Sequence, residues 1–235
     1  MTSFVVLTPS RGLLHSRTVE AVQANVEQAV SAGHDFRGWR LTHDLPIPDC
    51  HETVTAAGMA TGADVLWFLE EDMIPPDGAL IAQLAMIERV PIVCVDYPVG
   101  FPRGWPDSHT GQPSAGTFNC VPRPRNGVID WCPLGCTLIA RRVFEGLPRP
   151  WFDTGKMFIT WHFGNVKTVR EETDAPWPYG GQDIYFGDRA VAAGFEIAVV
   201  PDMIAGHALL KTWGPFQKND GHHTVAIREQ IERVV

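Results

Sequence analysis

No stretch of this sequence is long, apolar and uncharged enough to cross a bilayer as a helix. Met1-Thr2-Ser3-Phe4 lacks the basic start and apolar core of a secretion signal. A cytoplasmic chain with no membrane span is therefore expected. An excess of positive charge is missing too. The formal net charge is −8, so broad attraction to nucleic acid or to an anionic membrane is not expected. Cysteine is scarce and irregularly spaced. The five present (Cys50, Cys94, Cys120, Cys132, Cys136) are odd in number and read as reduced thiols. Cys132 and Cys136 have no matching second pair, so a zinc centre is not expected. The chain has no internal repeat and no low-complexity segment. It also lacks the glycine spacing of a dinucleotide fingerprint and a P-loop.

What is present is ordinary in bulk and unusual in one place. With 235 residues, 45% hydrophobic and 20% charged, one large globular domain is the expectation. Proline and glycine concentrate between Pro98 and Pro150 and between Pro176 and Gly181, which predicts long functional loops. The unusual place is Asp64-Val65-Leu66-Trp67-Phe68-Leu69-Glu70-Glu71-Asp72, an apolar run ending in three acids. Such a run predicts a buried strand of a parallel sheet. Open α/β sheets bind ligands at the carboxyl ends of their strands. Three adjacent carboxylates repel one another, so a site that keeps them suits a cation, and oxygen ligands suit Mg²⁺ or Mn²⁺. Strand alternation would send Glu70 and Asp72 to one side and Glu71 to the other. A solvated acidic turn before a helix is the plainer alternative.

Along the chain, Phe4 to Thr8 reads as a strand, Pro9 to Gly12 as a turn, and Val19, Val22, Val26, Ala29 and Val30 as one helix face stopped by Gly33. This strand-turn-helix opening could hold a base or ribose at Thr8 to Gly12, with Arg11 near a phosphate. It also fits a plain connection. Asp35 to Thr42 predicts a second strand and Glu52 to Thr61 a helix. Asp77 is a candidate cap for a helix carrying Leu80, Leu84 and Ile87. Pro91 to Asp96 predicts another buried strand. This alternation argues for a mainly parallel sheet with helices on both faces. Further on, Gly135 marks either close backbone approach to a ligand or a bulge. Arg141 to Glu145 predicts a short helix ended by Gly146. The aromatics from Trp151 to Tyr179 serve as core plugs or as a stacking platform. Gln182-Asp183 opens a helix closed by Gly194, and Asp183 in its first turn suits the helix dipole whether it caps or reacts. A strand follows from Phe195 to Val200, then Gly206-His207. Ile227, Ile231 and Val234 predict a last helix, with His222 and His223 on the surface before it.

After the Phe4 to Val30 strand, polar turn and helix, an opening that the family shares, four segments in this order resemble the GT-A-fold nucleotide-sugar glycosyltransferases of the family 2-like group. They are Leu66 to Pro76 for the strand ending in a "DxD" motif and a "pp" helix start, and Gly135 to Phe144 for the glycine turn and "L-I-R-R-x-V-F" segment. Gln182-Asp183-Ile184-Tyr185-Phe186 matches the "E-D-x-x-F" helix start, with Ala193-Gly194-Phe195 at its end. Gly206-His207 matches the late "G-H". Glu70 stands where the family has Asp, and Gln182 where it often has the first acid of a pair.

The resemblance implies one GT-A-like (Rossmann-like) domain, with a mixed, mainly parallel central sheet flanked by helices. Residues 1–100 would be the nucleotide-sugar half, and 101–235 the acceptor-binding and catalytic half. It implies metal-dependent transfer of a sugar from a nucleotide-diphosphate sugar, foremost a UDP-sugar, to an acceptor hydroxyl. Asp72 and His207 would hold Mn²⁺ or Mg²⁺ as a Lewis acid at the diphosphate. Thr8, Ser10, Arg11, Glu70 and Glu71 would contact the donor. Asp183 would be the base of an inverting reaction. Small stand-alone enzymes of this kind are common in phage genomes, which would place this one in the host cytoplasm. The acceptor would be a hydroxymethylated DNA base, a protein or a glycan. The acidic chain argues against DNA. Arg123, Arg125, Arg141, Arg142 and Arg149, with the Trp-rich loops, argue for it. A sugar nucleotidyltransferase and a non-catalytic nucleotide-sugar-binding module are the rival readings. The first would need a longer basic loop after the first strand, and Gln182 favours the second.

Overall fold

The computed structural model describes residues 1–10, 12–43, 45–99, 118–119, 129, 131–154, 157–162, 165–170, 181–213 and 226–232. The central strands form where apolar residues run nearly unbroken, the peripheral ones where apolar and polar residues mix. They are β1 (Ser3–Thr8), β2 (Asp35–Leu41), β3 (Val65–Leu69), β4 (Met73–Ile74), β5 (Ile92–Asp96), β6 (Pro98–Val99), β7 (Phe118–Asn119), β8 (Cys136–Ala140), β9 (Met157–His162), β10 (Asn165–Arg170), β11 (Ile197–Ile204), β12 (Gly206–Trp213) and β13 (Ala226–Glu232). The helices are α1 (Ser16–Ser31), α2 (Asp49–Met59), α3 (Ala79–Ile87), α4 (Arg141–Gly146) and α5 (Gln182–Ala192).

The central sheet has six strands in the order β11-β5-β8-β3-β1-β2. All run parallel except β8, which is antiparallel to β3 and to β5. The expectation of a mixed, mainly parallel sheet with helices on both faces is met. All five residues of β3 are buried because both faces are covered. Trp67 points toward α3, where its indole N–H donates to Gln83 Oε1 at 2.8 Å. Phe68 points the other way, with its ring 6.0 Å from those of both Phe144 and Phe152. Phe186 of α5 stacks on the same two rings, and His51 of α2 lies against Phe152. So α1 and α3 cover one face, and α2, α4 and α5 the other.

Gln83 is the polar pin of the first face. Its amide N–H₂ donates to Val93 O and Cys136 O at 2.8 and 3.2 Å. One side chain thereby holds β3, β5 and the reversed strand β8 together. The buried stripe of α1 is Thr18, Val22, Asn25 and Ala29, while Val30 is exposed. That stripe is rotated from the all-apolar face read in the sequence because Asn25 is needed inside. Asn25 Oδ1 accepts the Leu80 N–H at 3.1 Å, and its amide donates to Pro76 O at 3.1 Å. Gln28 Oε1 accepts the Gly78 N–H at 2.9 Å. The start of α3 is thus capped from α1. Gly78, with φ at 78°, is its N-cap residue, and the expected cap Asp77 is not.

Other expectations shift. The segment expected as the last helix contains β13, paired antiparallel with β12 through Ala208↔Ile231 and Thr212↔Ile227. A spacing of four puts residues on one face of a helix or of a strand, so Ile227 and Ile231 did not discriminate. Val234, His222 and His223 lie outside the described residues. The aromatic-rich segment after Trp151 contains the β9–β10 hairpin. Trp151 and Phe152 are core plugs, both buried. Among the described residues no helix is long and apolar enough to cross a membrane.

Two outcomes follow. Gln83→Leu strands the Trp67 N–H and two carbonyls, so urea unfolding should show a loss of about 3 kcal/mol or more. A loss under about 1 kcal/mol would mean that those groups find other partners. His51 is held neutral, its pKa lowered to about 3 by burial. Above its unfolded value of 6.5 its contribution is complete; as pH falls, the unfolded chain gains a proton that the fold refuses. Between pH 7 and 5, His51→Phe should therefore lose about 2 kcal/mol less stability than the parent.

Candidate functional site

The parallel strands deliver their carboxyl ends to one edge of the sheet. Thr8 ends β1 and Ser10 lies just past it, Thr42 follows β2, Glu70 to Asp72 follow β3, and Asp96 ends β5. The amino end of the reversed strand β8 brings Gly135 to the same edge, because Leu69 pairs with Cys136.

The three acids do not continue the strand. β3 stops at Leu69, and Glu70 to Asp72 form a turn closed by Met73 N–H donating to Glu70 O at 3.2 Å. Alternation therefore does not decide where they point; each is tied to a different element. Glu70 N–H donates to Gly135 O at 3.1 Å. Glu71 O accepts the His15 N–H at 3.0 Å, and its carboxylate accepts the Ser10 hydroxyl at 2.8 Å. Asp72 O accepts the Ala208 N–H at 2.7 Å. After this turn β4 pairs with β12 through His207↔Met73. That pairing carries His207 Nε2 to 3.3 Å from Asp72 Oδ2, with side chains 16% and 25% exposed. The sequence-predicted pair Asp72 and His207, 135 residues apart, is thus brought together in a partly open position.

The imidazole is also steadied from behind. The Tyr97 ring meets it edge-on, with centroids 5.5 Å apart and planes at 75°. Tyr97 fits there because residue 135 is glycine: a Cβ on Gly135 would sit 2.7 Å from the Tyr97 ring. The tyrosine ring fills the space that a side chain at position 135 would take. Sequence reading missed Tyr97, and the signal that could have found it is its position just past β5. Asp96 beside it accepts the Tyr97 N–H at 2.9 Å on its carboxylate and the Ala205 N–H at 2.8 Å on its carbonyl. This fixes the approach to Gly206-His207.

Thr8 and Ser10 are buried. Thr8 Oγ1 accepts the Trp39 indole N–H at 2.9 Å. Ser10 N–H donates to Thr42 Oγ1 at 3.0 Å, and the Ser10 hydroxyl both accepts from Gly12 N–H and donates to Glu71. Both side chains already have protein partners, so they shape the edge rather than project from it. Arg11 lies outside the described residues.

Asp183 opens α5. The turn after α5 leads into the amino end of β11, so Asp183, at the other end of the helix, lies toward the carboxyl edge. Burial pushes its carboxyl up to about 6, against the lowering effect of backbone N–H groups, including Ile184 N at 2.9 Å. Among the described residues no hydrogen bond or ion pair joins it to Asp72 or His207. Next to it, Gln182 is buried, and its Oε1 has no hydrogen-bond partner among the described residues.

Among the described residues, Arg141, Arg142 and Arg149 do not converge into one groove. Arg141 N–H donates to Asp64 O just before β3, which puts Arg141 and Arg142 at the amino edge, opposite the acidic turn. The Arg141 guanidinium is engaged by Glu145 and Met59 O. Arg149 pairs with Glu52 and lies over the Trp151 ring. Arg123 and Arg125 are outside the described residues.

Could this edge hold a divalent cation? The carboxylate suits Mn²⁺ or Mg²⁺ completing its shell with water and phosphate oxygens, and the imidazole beside it favours the transition metal, Mn²⁺, of the two; both side chains are partly exposed. Among the described residues no group of three or more His, Cys, Asp or Glu side chains forms a full protein cage.

No family model and no curated protein matches the chain. Among solved structures, A197 from STIV is similar with a TM-score of 0.53, over 89% of this chain and 86% of that one, at 16% identity. A likeness at that identity concerns the fold, a mixed α/β domain with a Rossmann-like sheet.

The raised Asp183 carboxyl gives a signed expectation. Its folded pKa lies above the ordinary value of 3.8, so its favourable contribution is complete below that value and is lost as pH rises through about 6. Asp183→Asn should melt higher than the parent at pH 8 and close to it at pH 4. An offset that does not vary with pH would mean that Asp183 is not held protonated by burial.

Proposed function

We propose that this protein is a metal-dependent glycosyltransferase that moves a sugar from a nucleotide-diphosphate sugar to an acceptor hydroxyl. The observation that carries the reading is the meeting of Asp72 and His207 at 3.3 Å on the carboxyl edge of the sheet. An open α/β sheet binds its ligand at that edge. A carboxylate-imidazole pair with room on one side suits a cation shared with a diphosphate. When bound there, the cation would neutralise charge on the departing diphosphate.

The remaining work falls to the chain's own side chains. Asp72 presents an oxygen from a turn held from three directions, and His207 a nitrogen from β12 paired to β4, so neither must be ordered when the donor arrives. Tyr97 limits the rotation of the imidazole. The edge framed by Trp39, Thr42 and Ser10 would receive the nucleoside. Asp183 would accept the acceptor's hydroxyl proton as the oxygen bonds to the anomeric carbon and the diphosphate leaves. A carboxyl near 6 is largely ionised at pH 7, yet a stronger base than an ordinary aspartate, which suits that role. The buried Gln182 carbonyl beside it can accept a hydrogen bond from an acceptor hydroxyl. The separation of Arg141 and Arg142 from this edge favours a protein or glycan acceptor over a DNA base.

Thermal melts with UDP, GDP and dTDP, each with Mn²⁺ or with chelator, test the donor site. One diphosphate should raise the midpoint only with Mn²⁺, by about 2.7 kcal/mol at a hundredfold excess over its Kd. Asp72→Ala should abolish the shift. Asp183→Ala should keep the shift and lower turnover by roughly 10²–10⁴-fold, and parent turnover should rise through about pH 6. No shift with any diphosphate would overturn the reading.

A further inference from the structure

Glu71 is the middle acid of the turn, and its contacts give it a different task from its neighbours. Its carbonyl accepts the His15 N–H, on the residue that caps α1 through its own Nδ1. Its carboxylate accepts the Ser10 hydroxyl at 2.8 Å. That hydroxyl also lies 3.4 Å from Leu13 O, but it has one proton, and the shorter bond to an ionised acceptor is favoured. Ser10 Oγ in turn accepts the Gly12 N–H at 2.9 Å. On its other side Ser10 is gripped through its backbone by Thr42 Oγ1, at 3.0 Å from its N–H and 3.3 Å to its O. Thr42, Ser10 and Glu71 thus form one line across the adjacent carboxyl ends of β2, β1 and β3.

We infer that Glu71 is a positioning residue: through Ser10 it clasps the segment after β1 to the turn that carries Asp72, and so sets the distance between nucleoside and cation subsites. The inference rests on the donor-site reading above and gives Glu71 no contact with cation or donor. It assigns the middle acid a reason to sit among like charges. The Ser10 hydroxyl and the His15 N–H draw Glu71 toward β1, while Asp72 is drawn toward β12. The bond to Ser10 needs an acceptor oxygen and not a charge, so an amide at position 71 can replace the carboxylate, whereas alanine cannot.

The test is a cycle of Ser10→Ala, Glu71→Ala and their double variant, with Glu71→Gln as the conservative replacement. Three quantities are read on the full chain: hydrogen exchange at the Gly12 and His15 amides without ligand, Mn²⁺ affinity alone, and affinity for UDP, GDP and dTDP with Mn²⁺. Each alanine variant should speed exchange at Gly12 by roughly tenfold or more. Each should weaken binding of the diphosphate that the parent takes, with the double variant no worse than the worse single. Mn²⁺ affinity alone should not change, and Glu71→Gln should stay near the parent in all three. Additive losses in the double variant would overturn the inference. Loss of Mn²⁺ affinity in both Glu71→Ala and Glu71→Gln would overturn it too, by making Glu71 a ligand. Unchanged exchange in both single variants overturns it whatever binds. If exchange responds as expected while the parent takes no diphosphate, the clasp stands, and the donor reading and the positioning role fail with it.

Discussion

Three carboxylates in succession at the end of a buried strand repel one another, and the edge of this protein is built around containing them. Containment is done by direction. Glu70 is held by the backbone of Gly135, Glu71 by Ser10 and His15, and Asp72 by Ala208 and His207. The turn is thereby fixed from β8, from β1 and α1, and from β12.

The core makes that containment possible. β3 is apolar on both faces because helices cover both, so its carboxyl end can go only to the edge. β8 runs against its neighbours, and this reversal delivers the amino-terminal turn of β8, with Gly135, to the edge where the parallel strands end. Gln83 supplies the polar satisfaction that the reversal requires, with Trp67, Val93 and Cys136 as its partners. On the same face, Asn25 and Gln28 cap α3 from α1, so the segment after the acidic turn is anchored as firmly as the segment before it.

How much of this was legible in the sequence depends on how local the cause is. Val65 to Leu69 could be read as a buried strand because five consecutive apolar residues leave few alternatives. Asp72 and His207 could be paired only through a family resemblance, since they lie 135 residues apart and meet through the β4–β12 register. Asp77 was misread as a cap because the true acceptors, Asn25 and Gln28, lie on another helix. Ile227 and Ile231 fit two periodicities equally. Gly135 was recognised as a place needing space, but the occupant, Tyr97, comes from the segment just past β5. Of the arginines clustered in sequence, Arg141 and Arg142 are carried by β8 to the far edge. Thr8 and Ser10, expected as donor contacts, reach the edge with their hydroxyls bonded to protein groups.

The central claim is that the carboxyl edge at Asp72 and His207 is where a cation and a diphosphate meet. Crystals soaked with Mn²⁺ and the diphosphate that shifts the melting point, measured at the manganese absorption edge, address it most directly. The account predicts one anomalous peak within coordination distance of Asp72 and His207, with diphosphate oxygens on the same ion and the nucleoside lying toward Ser10 and Trp39. Manganese or diphosphate ordered elsewhere, with Asp72 and His207 still paired to each other, would contradict it.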